Sequence, residues 1–472
     1  MAVQNNKLLL HRKEWQMMTP APVSTGAGVF IIKDPGGIRR TSLLVASTTA
    51  QYIYDVDEDA WVQIPSMALA GTFGAGACGA WGRWSNTLTP TGGTTTTITL
   101  TGNLSGRIAG QTVWFQAGTN INVRAVIDRV TIVPGGTHTI FLKTAVPNAV
   151  TSAHTFKIDS GVYYVLNAYT AWAAGVFKSY DVATGTVTQL AQGTLPASWG
   201  TDGRMVSTPS NTGVFASGTA NASGSSTLVN SSKNWTLNQW SNYQVRIVSG
   251  TGAGQVRTIS SNTATSLTVS VAWTVTPDST SVYAIEGNDD FIYILGNGVV
   301  TMYRLTISSG TVATATVNGG ARSSAPGTGM SANWISKTGK TAWQDENNIL
   351  DGRFIYSFRG AATGTLHRYD IALLTWTDVN YIRLQETFTT GSSFDADGSR
   401  IYANKEATGR IFYVDVVENE ITGFSTDFYP QSTAVLGDKS FTVAYSDGTG
   451  QDIKWLYCLG NTTNILRRIM IY

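Results

Sequence analysis

Apolar and aromatic positions along this chain fall in short runs separated by gaps rich in Gly, Ser, Thr and Asp, and the runs come in pairs. Gly161-Val162-Tyr163-Tyr164-Val165-Leu166 is followed by Tyr180-Asp181-Val182, and Phe291-Ile292-Tyr293-Ile294-Leu295-Gly296 by Tyr303-Arg304-Leu305. Arg353-Phe354-Ile355-Tyr356 leads to Tyr369-Asp370-Ile371, and Ser399-Arg400-Ile401-Tyr402 to Val414-Asp415-Val416. An earlier copy joins Leu43-Leu44-Val45 to Tyr54-Asp55-Val56, and a final one joins Trp455-Leu456-Tyr457-Cys458 to Arg467–Tyr472. Each copy reads as two strands and a turn, and helical spacing of apolar residues is nearly absent, so the chain is expected to be all-β.

A third strand follows each pair. An apolar residue often stands seven positions after the start of the second run: Trp61 after Tyr54, Val187 after Tyr180, Trp376 after Tyr369, Ile421 after Val414. Turn formers such as Asp57-Glu58-Asp59 and Ala183-Thr184-Gly185 lie between. A strand of small residues then precedes the next copy, at Gly74–Trp81, Trp199–Val206, Gly327–Trp334 and Thr389–Phe394. Small residues suit strands crowded around an axis. Four strands per unit in about six units predict a β-propeller.

Tyr293, Tyr356, Tyr402 and Tyr457 recur at the roughly 50-residue period of a propeller blade. Val45 to Tyr164 and Tyr164 to Tyr293 are more than twice as long, and each shrinks to an ordinary blade if about 70 residues are inserted. The two long segments match each other. Residues 86–159 hold Thr94–Leu100, Gln111–Phe115, Asn122–Ile127, Thr139–Leu142 and His154–Ile158; residues 216–286 hold Ser226–Val229, Tyr243–Val248, Gln255–Ile259, Ser266–Val269 and Ser281–Ile285. A basic residue in the third run (Arg124, Arg257) and a proline before the last (Pro147, Pro277) strengthen the match. The expected architecture is a discontinuous propeller (1–85, 160–215 and 287–472) carrying two sibling β-sandwich or barrel domains, 86–159 and 216–286.

Composition narrows the function. Of 472 residues only 13% are charged and the net charge is +2, without long basic runs, which disfavours nucleic-acid binding by a polycationic surface. No apolar run approaches the ~18 residues of a membrane span. Met1–Trp15 lacks the apolar core and cleavage site of a signal peptide, and synthesis in a reducing cytoplasm is expected. Two cysteines, Cys78 and Cys458, make no disulfide framework and are expected as buried free thiols.

Candidate chemistry is sparse. His11, His138, His154 and His367 show no metal-ligand spacing; His138 and His154 read as solvated strand-edge residues, and no cofactor is expected. Asp289-Asp290, Asp345-Glu346, Asp395 and Asp397 could supply a carboxylate pair, but Asp395-Ala396-Asp397-Gly398 and Asp289-Asp290 read better as turns. The Asp of Tyr-Asp-Val recurs from blade to blade, whereas a catalytic residue is normally single, so it is expected to cap a turn. Gly250-Thr251-Gly252-Ala253-Gly254 lacks the Lys-Ser/Thr of a phosphate loop and reads as a hairpin turn. Asp55–Asp59 lacks the glycine and distal Glu of a calcium loop. Among the aromatics, Trp81 and Trp376 read as core. Trp235 and Trp240 fit either a core or an exposed stacking platform, and with Trp84 and Arg83 they are the candidates for a partner or glycan contact.

The blade pattern, with Tyr369-Asp370-Ile371 and Trp376 as its clearest copy, resembles a kelch-type propeller with its double glycine degenerate. The inserts, as in Gly252-Ala253-Gly254-Gln255-Val256-Arg257-Thr258-Ile259-Ser260, resemble the Thr/Ser/Gly-rich β modules of tailed-bacteriophage virion proteins. The resemblance implies a non-enzymatic structural component of a virion, made in the bacterial cytoplasm, whose partners are other virion proteins and copies of itself. The alternative is a carbohydrate- or receptor-binding module that meets a host-surface glycan through the insert aromatics; a glycan-cleaving propeller is the weaker third reading. The N-terminal arm, Met1–Pro22, reads as extended, reaching across a subunit contact or joining the ring closure. The last strand, Ile465–Tyr472, is expected to share a sheet with Val29-Phe30-Ile31-Ile32.

Overall fold

The computed structural model describes residues 16–22, 30–33, 42–46, 50–56, 58–65, 77–82, 84–166, 177–190, 203–207, 214–288, 290–307, 311–314, 322, 325, 331–334, 354–361, 363–371, 373–378, 393–396, 400–405, 410–415, 436–446, 453–460 and 465–471. Within these, the paired runs form antiparallel blades. The first holds Phe30–Lys33, Ser42–Ala46, Gln51–Asp55 and Ala60–Ile64; the second Cys78–Gly82, Val162–Leu166, Phe177–Asp181 and Thr186–Gln189. The third holds Gly203–Ser207, Phe291–Gly296, Tyr303–Thr306 and Thr311–Thr314; the fourth Ser331–Trp334, Phe354–Phe358, Leu366–Asp370 and Thr375–Asp378. Ser393–Ala396, Arg400–Lys405 and Arg410–Asp415 form the fifth, and Leu436–Ser446, Ile453–Gly460 and Leu466–Ile471 the sixth.

The first strand of each blade lies beside the first strands of both its neighbours, and that of the sixth lies beside that of the first. Six first strands therefore circle one axis, and the protein is an all-β, six-bladed propeller. The small-residue runs foreseen around the axis supply these strands in blades two to five, as Cys78–Gly82, Gly203–Ser207, Ser331–Trp334 and Ser393–Ala396. In blades one, two and four the residue seven positions after the Tyr is that Tyr's cross-strand partner: Tyr54 pairs with Trp61, Tyr180 with Val187, Tyr369 with Trp376, while Ile421 lies outside the described residues. Tyr54 and Trp61 pack with ring centroids 4.8 Å apart, and Tyr369 and Trp376 at 5.2 Å. Such cross-strand pairs each contribute ~0.2–1 kcal/mol.

Neighbouring blades pack face to face, so their second strands are covered on both sides and read as unbroken apolar runs. Val162–Leu166 and Phe291–Gly296 are buried at every position. Ile53 and Ile64 of blade one meet Trp81, Tyr163, Val165 and Tyr180 of blade two. Cys78, Tyr164 and Phe177 meet Met205, Ile292 and Ile294 of blade three, whose Phe291, Tyr293 and Leu295 meet Ile355 and Tyr369 of blade four. Each such side chain contributes ~1.5–3 kcal/mol on burial. Both cysteines are buried free thiols, as expected, and burial pushes the Cys458 thiol well above its usual range.

The ring closes through the N-terminal arm, one of the two roles foreseen for it, but the last strand does not pair with Phe30-Ile31-Ile32. Phe30–Lys33 belongs to blade one, paired with Ser42–Ala46. Gln16–Met17 adds the outer strand of blade six instead, Gln16 opposite Arg468 and Met17 opposite Arg467. The chain then crosses to blade one. Met18 and Ala21 enter the core between the two blades, with Tyr54 and Val56 on one side and Trp455, Tyr457, Leu459 and Leu466 on the other. Asp59, at positive φ (49°), accepts from the Thr19 amide (2.8 Å) and the Tyr54 hydroxyl (2.6 Å), and Trp61 Nε1 donates to Thr19 O (2.9 Å). Asp55, Glu58 and Asp59, acids of the segment weighed as a calcium loop, thus lie in a turn that fastens the arm.

Both long insertions lie between the first and second strands of a blade, at Gly82/Val162 and Ser207/Ile292, which remain cross-strand partners. The chain re-enters blade two at Gly161, whose φ is +85° and where a Cβ would run into the Trp81 indole. The first insert is a six-stranded sheet ordered Thr155–Ile158, Thr112–Ala117, Arg124–Thr131, His138–Leu142, Thr97–Leu100, Gly92–Gly93. The second runs in the same order, Val282–Glu286, Gln244–Ser249, Val256–Asn262, Ser266–Val269, Thr227–Val229, Ala222–Gly224, with Val214–Thr219 added at the edge. Ile127 N–H donates to Gln111 O as Ile259 does to Tyr243 O, and Phe115 N–H to Val123 O as Ile247 does to Gln255 O. Each long third strand breaks register once, between Ile127 and Arg129 and between Ile259 and Ser261. The match of Arg124 with Arg257 is corrected by this shared register. Arg124 pairs with Trp114 and Arg257 with Val245, the counterpart of Val113, so the arginines point to opposite faces.

If the arm closes the ring, Met18→Asp places an unpaired charge in the blade six–blade one core. Denaturant unfolding is expected to show a loss of about 3 kcal/mol or more. Met17→Asp, at a position 58% exposed, is expected to stay within about 0.5 kcal/mol of the parent.

Candidate functional site

The Asp repeated from blade to blade caps turns in blades one, two and four. Asp55 Oδ1 accepts from the Glu58 amide (3.2 Å), Asp181 Oδ1 from Ala183 (2.8 Å) and Asp370 Oδ1 from Leu373 (3.0 Å). Asp181 does more. Its Oδ2 accepts from the Asn86 amide (2.8 Å), the residue at which the chain enters the first insert. Burial raises its carboxyl above the usual carboxylate value, and the Asn86, Ala183 and Thr184 amides pull it back. Ser105 N–H donates to Ala183 O (2.7 Å), and Ala183 is part of the insert's core around Ile98, Phe115 and Phe156. The blade turn is therefore the seat of the first insert.

The second insert is seated through Asn242. Its amide donates to Ile371 O of blade four (2.8 Å) and accepts from Arg304 Nη1 of blade three (2.9 Å). Gln244 Nε2 adds a bond to Asn288 Oδ1 (2.9 Å).

Between the inserts lies a compact cluster of arginine and tryptophan. Trp84 and Trp114 pack with centroids 5.0 Å apart. The Arg124 guanidinium sits over both, at 5.7 and 5.0 Å, and Arg246 of the second insert covers Trp114 at 5.3 Å. Glu286 grips Arg246 with both carboxylate oxygens, Nε to Oε2 at 3.1 Å, and lies 4.0 Å from Arg124. Asn122 Nδ2 donates to Ile247 O (3.2 Å) and Val248 O (3.0 Å). Arg246 and Trp114 are buried, and Arg124 is half-exposed at the rim. A desolvated, hydrogen-bonded Arg–Glu pair stacked on tryptophan is directional, so this junction fixes the angle between the inserts. Among the described residues it is the site best suited to that task.

Of the residues singled out from sequence, Trp84 belongs to this junction and Arg83 lies outside the described residues. Trp235 and Trp240 are corrected: they are 3% and 0% exposed, edge-on to one another at 6.4 Å and packed with Tyr243 and Tyr283 in the second insert's core. They offer no face for a sugar. Trp81 is core as expected, and Trp376 packs against the blade three–blade four core. His138 and His154 are corrected as well, being buried rather than solvated. His138 Nε2 donates to Gly102 O (2.7 Å) while Nδ1 accepts from Val133 N–H (3.1 Å), and His154 Nδ1 accepts from Thr151 N–H (3.0 Å). Asp395 is corrected from turn to strand: it is buried opposite Tyr402 within the first strand of blade five. Asp290 does sit in the turn before Phe291, its amide bound by Asn288 Oδ1 (3.0 Å), and Gly250–Gly254 is the hairpin turn expected. His11, Asp289, Asp345, Glu346 and Asp397 lie outside the described residues. Among the described residues no three His, Cys, Asp or Glu side chains converge as a metal site.

Sequence reasoning missed Trp114, Asn122, Arg246 and Glu286. The signal was present: in the correct register Trp114 and Arg246 occupy the same position of the two copies, an exchange that marks a place where the copies differ in task.

His367 is the other unusual group. Its ring is 1% exposed with neither nitrogen hydrogen-bonded, edge-on to Trp376 at 6.2 Å. Arg322 stacks on the same indole at 5.3 Å, and Asp378 Oδ1 lies 3.7 Å from His367 Nε2. Burial, reinforced by Arg322 and Arg359 against the opposing pull of Asp378, lowers its pKa to about 4.

The fold and these junctions define a six-bladed propeller that carries two coupled β modules. No protein-family model and no curated protein matches the chain. Solved structures similar to it are propeller-like. The phage phi92 endosialidase is 11% identical with a TM-score of 0.36, covering 98% of this chain and 70% of that one. A chain of the mitotic checkpoint complex is 9% identical (TM-score 0.36; 98% and 95% covered), and the RRP9 WD40 repeats are 8% identical (0.34; 97% and 100%). At TM-scores below 0.5 these likenesses say nothing of what this chain binds or does.

Asp181→Ala leaves the Asn86 and Ala183 amides without their acceptor, an expected loss of about 1–3 kcal/mol, with Asp181→Asn milder because one acceptor oxygen remains. Chemical denaturation of both variants checks it. For His367, the depressed pKa means that the unfolded chain takes up the proton first. Stability is whole above the ordinary histidine value of 6.5 and is lost as pH falls toward about 4, by up to roughly 3 kcal/mol. Melting curves across that window should show a fall in the parent that His367→Gln lacks; parallel slopes would contradict the assignment.

Proposed function

We propose that this protein is a non-enzymatic structural component of a tailed-bacteriophage particle, in which the propeller is a rigid scaffold and the paired inserts contact neighbouring subunits. The observation that carries the reading is the Trp84–Arg124–Trp114–Arg246–Glu286 junction, which joins the inserts to each other, together with Asp181 and Asn242, which fasten them to three blades. Chemistry-bearing side chains of the inserts are spent on architecture: buried histidines hold loops, and Trp235 and Trp240 fill a core. The repeated blade Asp caps turns. A rigid disc with a fixed two-module platform suits a spacer or plug that repeats around a symmetry axis, where a defined angle between contact surfaces sets how copies meet.

Mass spectrometry of purified particles is expected to find the chain in stoichiometric amount, and sedimentation of the isolated protein to show closed oligomers. A chain that stays monomeric at every concentration and is missing from particles would refute the proposal.

A further inference from the structure

We infer that the two inserts are paired as a fused dimer about a local twofold axis of their own, and that the surface joining them is fitted to a second copy of the same module. In the shared register Trp114 and Arg246 are counterparts, and they contact each other across the junction at 5.3 Å. A position that meets its own counterpart is what a twofold contact produces at its axis, and reciprocal flanking contacts distinguish a twofold from other rotations. The flanking contacts reciprocate. Asn122 and Gly254 are counterparts, each donating its amide to the matching strand residue, Phe115 O and Ile247 O, and each at positive φ (65° and 89°). Asn122 binds Val248 O of the second insert at 3.0 Å, and a Cβ on Gly254 would stand 3.9 Å from Gln116 O of the first, the counterpart of Val248. The Gly254 side lacks the amide because the Ile121 side chain fills the space where its Cβ would go.

This reciprocity is not what the propeller imposes. Modules related only by the rotation from one blade to the next would meet head to tail, residue i on j without the return contact. Their seats differ accordingly: the first insert rests on Ala183 of its own blade, while the second binds Arg304 of its own blade and also reaches Ile371 of the following one. The exchange of Trp114 for Arg246 then makes the pair specific. Like with like would set Arg246 against Arg246 on the axis, whereas the mixed pair sets a cation on an indole with Glu286 balancing the charge. The same surfaces on two chains would therefore match first insert to second, and not like to like.

Hydrogen exchange on the full chain separates a paired body from two independent modules. Arg246→Ala is expected to speed exchange at least threefold in Thr112–Ala117 as well as in its own Gln244–Ser249, and Trp114→Ala to do the same in reverse. Loosening confined to the insert that carries the substitution would overturn the inference. Reciprocity has its own check. Gly254→Asn alone is expected to destabilise, through collision with Ile121. Ile121→Ala/Gly254→Asn is expected to melt above Ile121→Ala alone, because the new amide reaches the carbonyls of Phe115 and Gln116. Additive losses in that pair would overturn the twofold.

Discussion

Every blade interface depends on the ring being shut, and the ring is shut by a short stretch of chain that starts as the outer strand of blade six and crosses to blade one. Gln16–Met17 contributes main-chain pairing to blade six, and Met18 and Ala21 contribute apolar surface between blades six and one. Asp59 and Trp61 then hold the Thr19 peptide from both sides. A propeller is a circle of sheets, each stable because both faces are covered; an open ring exposes two such faces at once. The closing segment spares the fold from that exposure by removing the last apolar seam from water and by covering the edge of the last sheet.

The inserts extend the same economy outward. Each has its own apolar core, built from counterpart positions of a common strand plan. Neither is tethered merely by its two connections to a blade. Asp181 and Ala183 seat one, Asn242 seats the other, and the arginine–tryptophan junction joins them. Two modules held at a fixed angle need directional contacts between them. Stacked guanidinium groups and bidentate ion pairs supply them where apolar contact alone would permit sliding.

Much of this was legible in the residues. Tyr-Asp-Val with an apolar residue seven positions on marks a strand, a capped turn and its returning partner, because local hydrogen bonding and cross-strand pairing act over short separations. The two oversized intervals and their matching strand order announced sibling insertions. Less legible was which polar and aromatic side chains are inside. Trp235, Trp240, His138 and His154 stand among Thr, Ser and Gly, a setting that looks exposed; small curled sheets bury large side chains among small ones, and the rings fill the space that those residues leave. The register of Arg124 against Arg257 slipped by one position because two basic residues on neighbouring strand positions look alike in sequence, although one residue of slip reverses the face.

The sequence by itself determined the β character, the blade repeat, the turn chemistry and the presence of two related insertions, since all of these rest on periodicity and near neighbours. Only the tertiary structure decided which stretch closes the circle, where the inserts are seated, and that Trp114 meets Arg246. Those contacts join residues far apart in the chain, and their free energy comes from shape and desolvation in the assembled molecule, which no local pattern encodes.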